Sequence, residues 1–490
     1  MLDMVTGAAN APEMDVVANV LANGIRPALV ANQLGGAMLS AVTDTGFMAL
    51  AARHTGMNPM RLVTQHLKHV GIELTDTAVK LASLGRIDRS RVEARLARLG
   101  IVADAAAHTG TTTARLFGEG LAPGFWQTLA DATMRASGLT RWTDIGRGIF
   151  KSELYGLLAE NADRPWAQID APLRDMVFAT RGITAEDWEL IRQTPLFSHT
   201  DDPRATFLIP DDIRRREDLD PDTAMDLFLK LQSAIEEQRE FAVPNASLRG
   251  RAAFQVGQPG SVGGELVRSA LMYKNFPLTL MFNQLGRIFR HKVNGSRLWS
   301  NVMPYVLVTT PGGMVAMQLK EVFTRGNDPR PMDNWESWGA AMLQGGGLGI
   351  FGDFLYAAEN RMGGGLASTA AGPVVGAVND TLGLAGGFWN AITEKDPEKR
   401  EARWDTAQRN AIRFANRFGG PTNLWYANLA FDRMVWDTLQ EAVDSGATQA
   451  FERTRKKAER ERGVTPFWPQ GSLLPERFPD LSNILGGSAQ

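Results

Sequence analysis

Between Trp338 and Asn390 the chain carries only four charged residues, Asp353, Glu359, Arg361 and Asp380, together with 14 of its 49 glycines. At the chain's average of 22% charged residues, such a window would hold about twelve. Few charges and many glycines restrict the folding options. The backbone there must pack closely against other backbone or against lipid, because glycine side chains cannot fill space and charges are too few to solvate a surface.

The remaining composition narrows the class. A chain of 490 residues suffices for about three compact domains. A net charge of −2 and a pI near 6.4 give no global pull toward nucleic acid or an acidic membrane surface. Cysteine is absent, which excludes disulfides, thiolate metal sites and cysteine nucleophiles together. The N-terminal MLDMVTGAANAPEMDVV has no basic stretch followed by an unbroken apolar core, so no secretory signal peptide is expected.

Helical signals dominate. Ser90 and Glu93 form a capping-box pattern before ARLARL and Gly100. Thr184 with Asp187 opens AEDWELIRQ, and Asp220 before Pro221 gives an N-cap and first-turn pair. Behind it Met225, Phe228, Leu231 and Ile235 recur at helical spacing, as do Leu424, Leu429, Met434, Trp436 and Leu439 ahead of Gly446. The nearest approach to a strand is YVLVTT, Tyr305 to Thr310, bracketed by Pro304 and Pro311. The expected class is all-α, a multi-helix assembly without fixed repeats. Composition divides the chain into an Ala-rich helical region (1–115), a more polar helical region (116–250), a glycine-rich apolar helical region (251–393) and a charged helical tail with a Pro-rich end (394–490). The cluster DDPRATFLIPDDIRRREDLDPD reads as a surface connection.

Candidate chemistry is thin. GLGIFG, Gly347 to Gly352, fits the bare dinucleotide-loop pattern, but no strand precedes it and no acid follows at the required distance. Small-residue helix packing is the better account, since Gly345 and Gly349 stand four apart. Gly345, Gly349, Gly352, Gly372 and Gly376 are the expected helix-packing positions, and Leu at Gly349 or Gly352 should disrupt assembly. His66 and His69 lie one turn apart, but a metal site needs further ligands that the other four histidines do not supply in companion spacing. No catalytic, cofactor or metal residue is assigned and the expectation is a non-enzyme. Helix 451–463 carries six basic and three acidic residues, which reads as a solvated face and supports nucleic-acid contact only weakly.

Membrane contact stands as a conditional second state. Residues 301–319 form a stretch of 19 without a charge, 338–358 one of 21 with Asp353, and 362–393 one of 32 with Asp380. Length permits spans. Pro304, Pro311, the Gly345–Gly347 run and Pro373 interrupt them, and a mid-helix Asp costs about 2.5–3.5 kcal/mol on insertion.

GSVGGELVRSALMYKNFPLTL (Gly260 to Leu280), GGGLGIFGDFL, AAGPVVGAV, PTNLWYANLAFDRMVWDTL (Pro421 to Leu439) and PFWPQGSLLPERFPDLS occur in one order. Upstream stand ANQLGGAMLSAVTDTGFMALAARHTG, RASGLTRWTDIGR and RGITAEDWELIR. This order resembles the C-terminal region of large tailed-phage internal virion (ejected) proteins and of related polyvalent proteins of phages and mobile elements. The resemblance implies a protein packaged in the virion and delivered with the genome, then located in the host periplasm, inner membrane or cytoplasm. Its implied partners are other copies of itself, other virion proteins and the host inner membrane. Lytic or protease modules of that family lie elsewhere on the giant chains, so none is carried over. At 490 residues the expectation is a split product or a terminal piece. A helical chain dominated by local contacts should refold fast after threading through a tail. A delivered anti-defence binding protein is the alternative, and a peptidoglycan or nucleic-acid hydrolase a more distant one. A tape-measure role would require long heptad helices that the glycine density opposes.

Overall fold

The computed structural model describes residue 14 and residues 19–82, 125–199, 202–244, 261–271, 297–345, 365–418, 423–444 and 446–483. The protein is all-α, with one small antiparallel hairpin among the described residues. Its helices are α1 (Arg26–Gln33), α2 (Asp44–Thr55), α3 (Pro59–Ala82), α4 (Phe125–Ala136), α5 (Leu139–Asn161), α6 (Ala185–Ile191) and α7 (Pro221–Ala242). There follow α8 (Val262–Leu271), α9 (Arg297–Lys320), α10 (Trp335–Gln344), α11 (Gly365–Thr393) and α12 (Pro397–Phe418). A further continuous helix, α13, runs through Asn428–Phe431, a π-helical stretch Asp432–Asp437 and Thr438–Val443. The last, α14, is Ala447–Arg462. The Ser90–Glu93 pattern lies outside the described residues.

The main core forms around α5. Ile149, Phe150, Leu154 and Leu158 of that helix meet Met48 and Ala52 of α2, Leu62 of α3, Trp188 of α6 and Leu227, Leu231 and Ile235 of α7. It therefore draws on both 1–115 and 116–250. Gly138, at φ +82, ends α4 and lets the chain turn directly into α5, a conformation other residues rarely adopt. A second core joins Leu29 and Val30 of α1 to Ala130 and Met134 of α4, Trp142 of α5 and Val374 of α11.

Two of the expected caps form. The Thr184 hydroxyl accepts from the Asp187 amide while the Asp187 carboxylate accepts from the Thr184 amide, and the Asp220 carboxylate accepts from the Thr223 amide at 3.2 Å. Of the expected face of α7, Leu231 and Ile235 are in the core while Met225 and Phe228 are not. Ala224, Leu227, Leu231, Ala234 and Ile235 are buried, whereas Met225 is exposed and Phe228 lies under the Arg214 guanidinium at 4.4 Å.

DDPRATFLIPDDIRRREDLDPD is only partly a surface connection. Strands β1 (Phe197–His199) and β2 (Asp202–Phe207) pair with Phe197 opposite Phe207, and Leu208 and Ile213 are fully buried. The Leu208 amide donates to the Tyr155 carbonyl of α5 at 3.1 Å. Three successive apolar residues, Phe207 to Ile209, are enough to draw the loop inward.

YVLVTT is helical. Both Pro304 and Pro311 lie inside α9, where Thr309 and Thr310 return their hydroxyls to the Tyr305 and Val306 carbonyls at 2.9 and 2.7 Å. Packing overrides the β-branched run. Gly46 of α2 and Gly312 of α9 place the two backbones in close approach: a Cβ on Gly46 would stand 3.0 Å from the Val308 carbonyl oxygen, and one on Gly312 3.2 Å from Thr43 Cα. Pro373 is likewise inside α11. Among the described residues no single helix is long and apolar enough to cross a membrane. The bent pair 26–41 and 44–55 passes on length and composition only, and its Leu29, Val30, Phe47 and Met48 are buried in the cores.

Candidate interaction surface

In the C-terminal third, α12 packs against both α11 and α13. Helix α11 turns one face to its neighbours. Val374 and Ala391 are buried, Phe388 meets Trp404 edge-on at 5.7 Å, and Asp380 pairs with Arg417 of α12. Asp380 is the only charge in the helix, and its half-exposed carboxylate is answered by that arginine.

The opposite face has no partner within the described chain. Val378, Leu382, Ala385, Trp389 and Ile392 are all exposed, with Leu382, Trp389 and Ile392 at 65%, 68% and 63%. Their steps alternate four and three residues, the spacing of a coiled-coil seam. The flanks are neutral, since Thr381 and Thr393 return their hydroxyls to the Ala377 and Trp389 carbonyls at 2.8 Å each. Several large apolar side chains aligned on one helix face mark an interaction site far more often than scattered exposure does.

Helix α13 is inverted. Arg433, Asp437, Gln440 and Asp444 are buried, while Phe431, Met434, Val435 and Leu439 face solvent. Arg433 is held by three acceptors: Asp437 Oδ2 at 3.1 Å, the Trp468 carbonyl at 3.1 Å and the Arg325 carbonyl at 2.9 Å. Burial pushes the Asp437 carboxyl above its usual range, although Arg433 and the Gly471 amide oppose the shift. Arg409 of α12 reaches Asp444 at 3.1 Å. Between these helices lies a polar cleft of about 210 Å³, lined among others by Arg413, Asn416, Asp432, Trp436 and Asp437.

The C-terminal strap 464–483 is pinned to the same region. Gly326, at φ +74, offers its carbonyl to the Phe467 and Trp468 amides at 2.9 and 3.0 Å. The Asp328 amide donates to Thr465, and Arg477 forks onto the Asp328 carboxylate. Beneath it the fully buried Glu321 is met by Arg325, Asn327 and Arg462. Phe478 nevertheless projects 92% exposed from this fixed strap.

The expected packing glycines fall in different settings. A Cβ on Gly345 would stand 2.2 Å from the Thr309 carbonyl oxygen, and one on Gly313 1.9 Å from that of Ala341, so α9 and α10 touch backbone to backbone. A Cβ on Gly376 would meet only Arg417 Nη2, at 3.9 Å. Gly372 lies within α11. Gly349, Gly352 and the GLGIFG segment lie outside the described residues.

His66 is fully buried, with Trp142 edge-on at 4.4 Å and no hydrogen-bond partner for either ring nitrogen; burial, helped by His69, lowers its pKa to about 4. His69 Nδ1 lies 2.8 Å from the Gln65 carbonyl oxygen. Among the described residues no group of three or more His, Asp or Glu side chains is placed to hold a metal. The basic side chains of α14 pair largely along their own helix, Arg455 and Lys456 with Glu452 and Lys457 with Glu461.

Residue spacing alone misses Arg433 and Asp437, because an i,i+4 ion pair is ordinarily a surface feature. The seam of α11 was detectable by counting threes and fours through GAVNDTLGLAGGFWNAIT. No protein-family model, no curated protein and no solved structure matches the chain.

Proposed function

We propose that this chain is a non-enzymatic structural protein of a tailed-phage particle, carried inside the virion, delivered with the genome and working as an oligomer. The observation that carries the assembly part is the unpartnered seam of α11, reinforced by the inverted helix α13. A chain acting alone has little use for two helices that turn large apolar side chains to water. The phage assignment rests on the co-linear segments that resemble internal virion proteins. Contact with the host inner membrane, in this reading, is peripheral and made through exposed apolar faces.

Mass spectrometry of purified particles tests carriage. The chain should be present in multiple copies per virion, and its absence from washed particles defeats the proposal. Flotation of the purified protein with anionic liposomes at neutral and mildly acidic pH tests the membrane component separately.

A further inference from the structure

The side chains of the α11 seam specify what covers it. We infer that it pairs with the same seam of a second copy, antiparallel, across a two-fold axis level with Gly387; this rests on the reading of the chain as an assembly protein. In an antiparallel heptad pair each layer joins one position of each kind, and residue i meets j while j meets i. With the axis at Gly387, Leu382 meets Ile392 of the second copy, and Ala385 meets Trp389 of the second copy. The same two layers recur by symmetry. Each of these layers therefore combines either two medium side chains or the largest with the smallest, so the layers have similar volumes; Val378 lies beyond them, level with Asp396 of the second copy.

The flank supports close approach. Gly386 crosses its own symmetry mate, and among the described residues nothing stands within 4 Å of a Cβ placed there. Asn379 faces Thr393 of the second copy, both uncharged. At the ends the acids are already answered, Asp380 by Arg417 and Glu394 by Arg403 at 2.8 Å, so the pairing brings no bare like charges together. Four layers on one helix make a small interface beside the roughly 800 Å² per partner of a stable complex. The dimer is consequently reversible and concentration-dependent.

Sedimentation equilibrium of the full chain tests the pairing. The wild type should dimerise reversibly, and Trp389→Ala, which leaves an Ala–Ala contact in two layers, should weaken dimerisation at least about tenfold. Because Trp389 is exposed in the single chain, circular dichroism and thermal midpoint should not change. Orientation is read by cross-linking in the cysteine-free background. Gly386→Cys should bridge to itself, and Thr393→Cys should bridge to Asn379→Cys in a mixed sample but not to itself. A chain that stays monomeric at all concentrations, a dimer indifferent to Trp389→Ala, or self-bridging at Thr393→Cys overturns the inference. So does Trp389-dependent liposome flotation of a monomer, which would assign the seam to lipid. None of these outcomes touches carriage in the virion, which the particle composition decides independently.

Discussion

At the residue scale, the glycines divide by what a side chain would strike. Gly313 and Gly345 hold α9 against α10 with only backbone in the way, and backbone cannot rotate aside as a side chain can. Gly313→Ala should therefore lower the unfolding midpoint by the equivalent of about 3 kcal/mol or more. Gly376→Ala faces ordinary contact distance and gains helix propensity, so a rise of about 0.5–1 kcal/mol is expected in the same denaturant titration. The sequence identified small residues as packing elements but could not separate these two, because the distinction depends on which helix arrives opposite. His66 gives a second prediction. Its folded pKa of about 4 lies below the ordinary 6.5, so between those values the unfolded chain binds the proton and the folded one does not. Stability from this group is therefore complete above pH 6.5 and falls as the pH drops toward 4. The loss approaches on the order of 3 kcal/mol when fully developed. Glu153 and Asp437 oppose it: burial raises each carboxyl, so each contributes most at low pH and loses that contribution as pH rises through its folded value. Comparing wild type with His66→Met isolates the histidine, and the variant should show a flatter denaturation-midpoint profile between pH 7 and pH 4.5. An unchanged profile would show that the ring reaches water.

At the element scale, helix starts were legible wherever the signal was local. Thr184 with Asp187 and Asp220 with Pro221 are self-contained hydrogen-bonding units and they form as written. YVLVTT was not legible, since its β-branched, proline-bracketed composition describes a local preference that contact with α2 and α10 outweighs. Helix α13 is the extreme case. Its leucine and methionine spacing suggests a buried apolar face, whereas the structure buries Leu429 and then turns Met434 and Leu439 outward. The reason is Arg433, whose three acceptors come from α13 itself, the π-helical turn Glu321–Arg325 and the strap. Arg433→Met should cost about 3–5 kcal/mol, because Asp437 is left buried without its cation. Limited proteolysis should then cut within 464–483, which the wild type protects. Adding Asp437→Leu removes the orphaned charge and should recover much of the midpoint while leaving the strap cleavable. Equal losses in the single and double variants would mean that the arginine acts by packing alone.

At the scale of the whole molecule, contacts are mainly local, as expected, yet the chain also closes on itself over long distances at a few points. Asn423 donates to the Asn32 carbonyl, 391 positions away, and Trp425 Nε1 to the Ser137 carbonyl, 288 positions away, at 2.9 Å. Arg26 and Glu265 pair across 239 positions in a buried setting. A Cβ on Gly35 would stand 2.4 Å from the Asn423 carbonyl oxygen, so the NLWYAN turn sits directly on the Leu34–Gly36 turn. Such closures are invisible to periodicity, which reports the face of an element and never its distant partner. They also set an order of folding: helices around α5 gather residues within 48–243, and the 423–428 turn must wait until both ends of the chain are ordered. Trp425 is the reporter of that last step. Trp425→Phe keeps the ring near Phe323, which the native indole meets edge-on at 5.2 Å, and removes only the bond to Ser137; about 1 kcal/mol should be lost. Trp425→Ala removes both and should cost about 3–5 kcal/mol. Pulsed hydrogen exchange during refolding should find amides of α5 and α7 protected first and those of α1 last. In Trp425→Ala the slow protection of α1 should be lost while the α5 phase keeps its rate. Simultaneous protection of both regions would show that the ends meet early and that the closure guides folding.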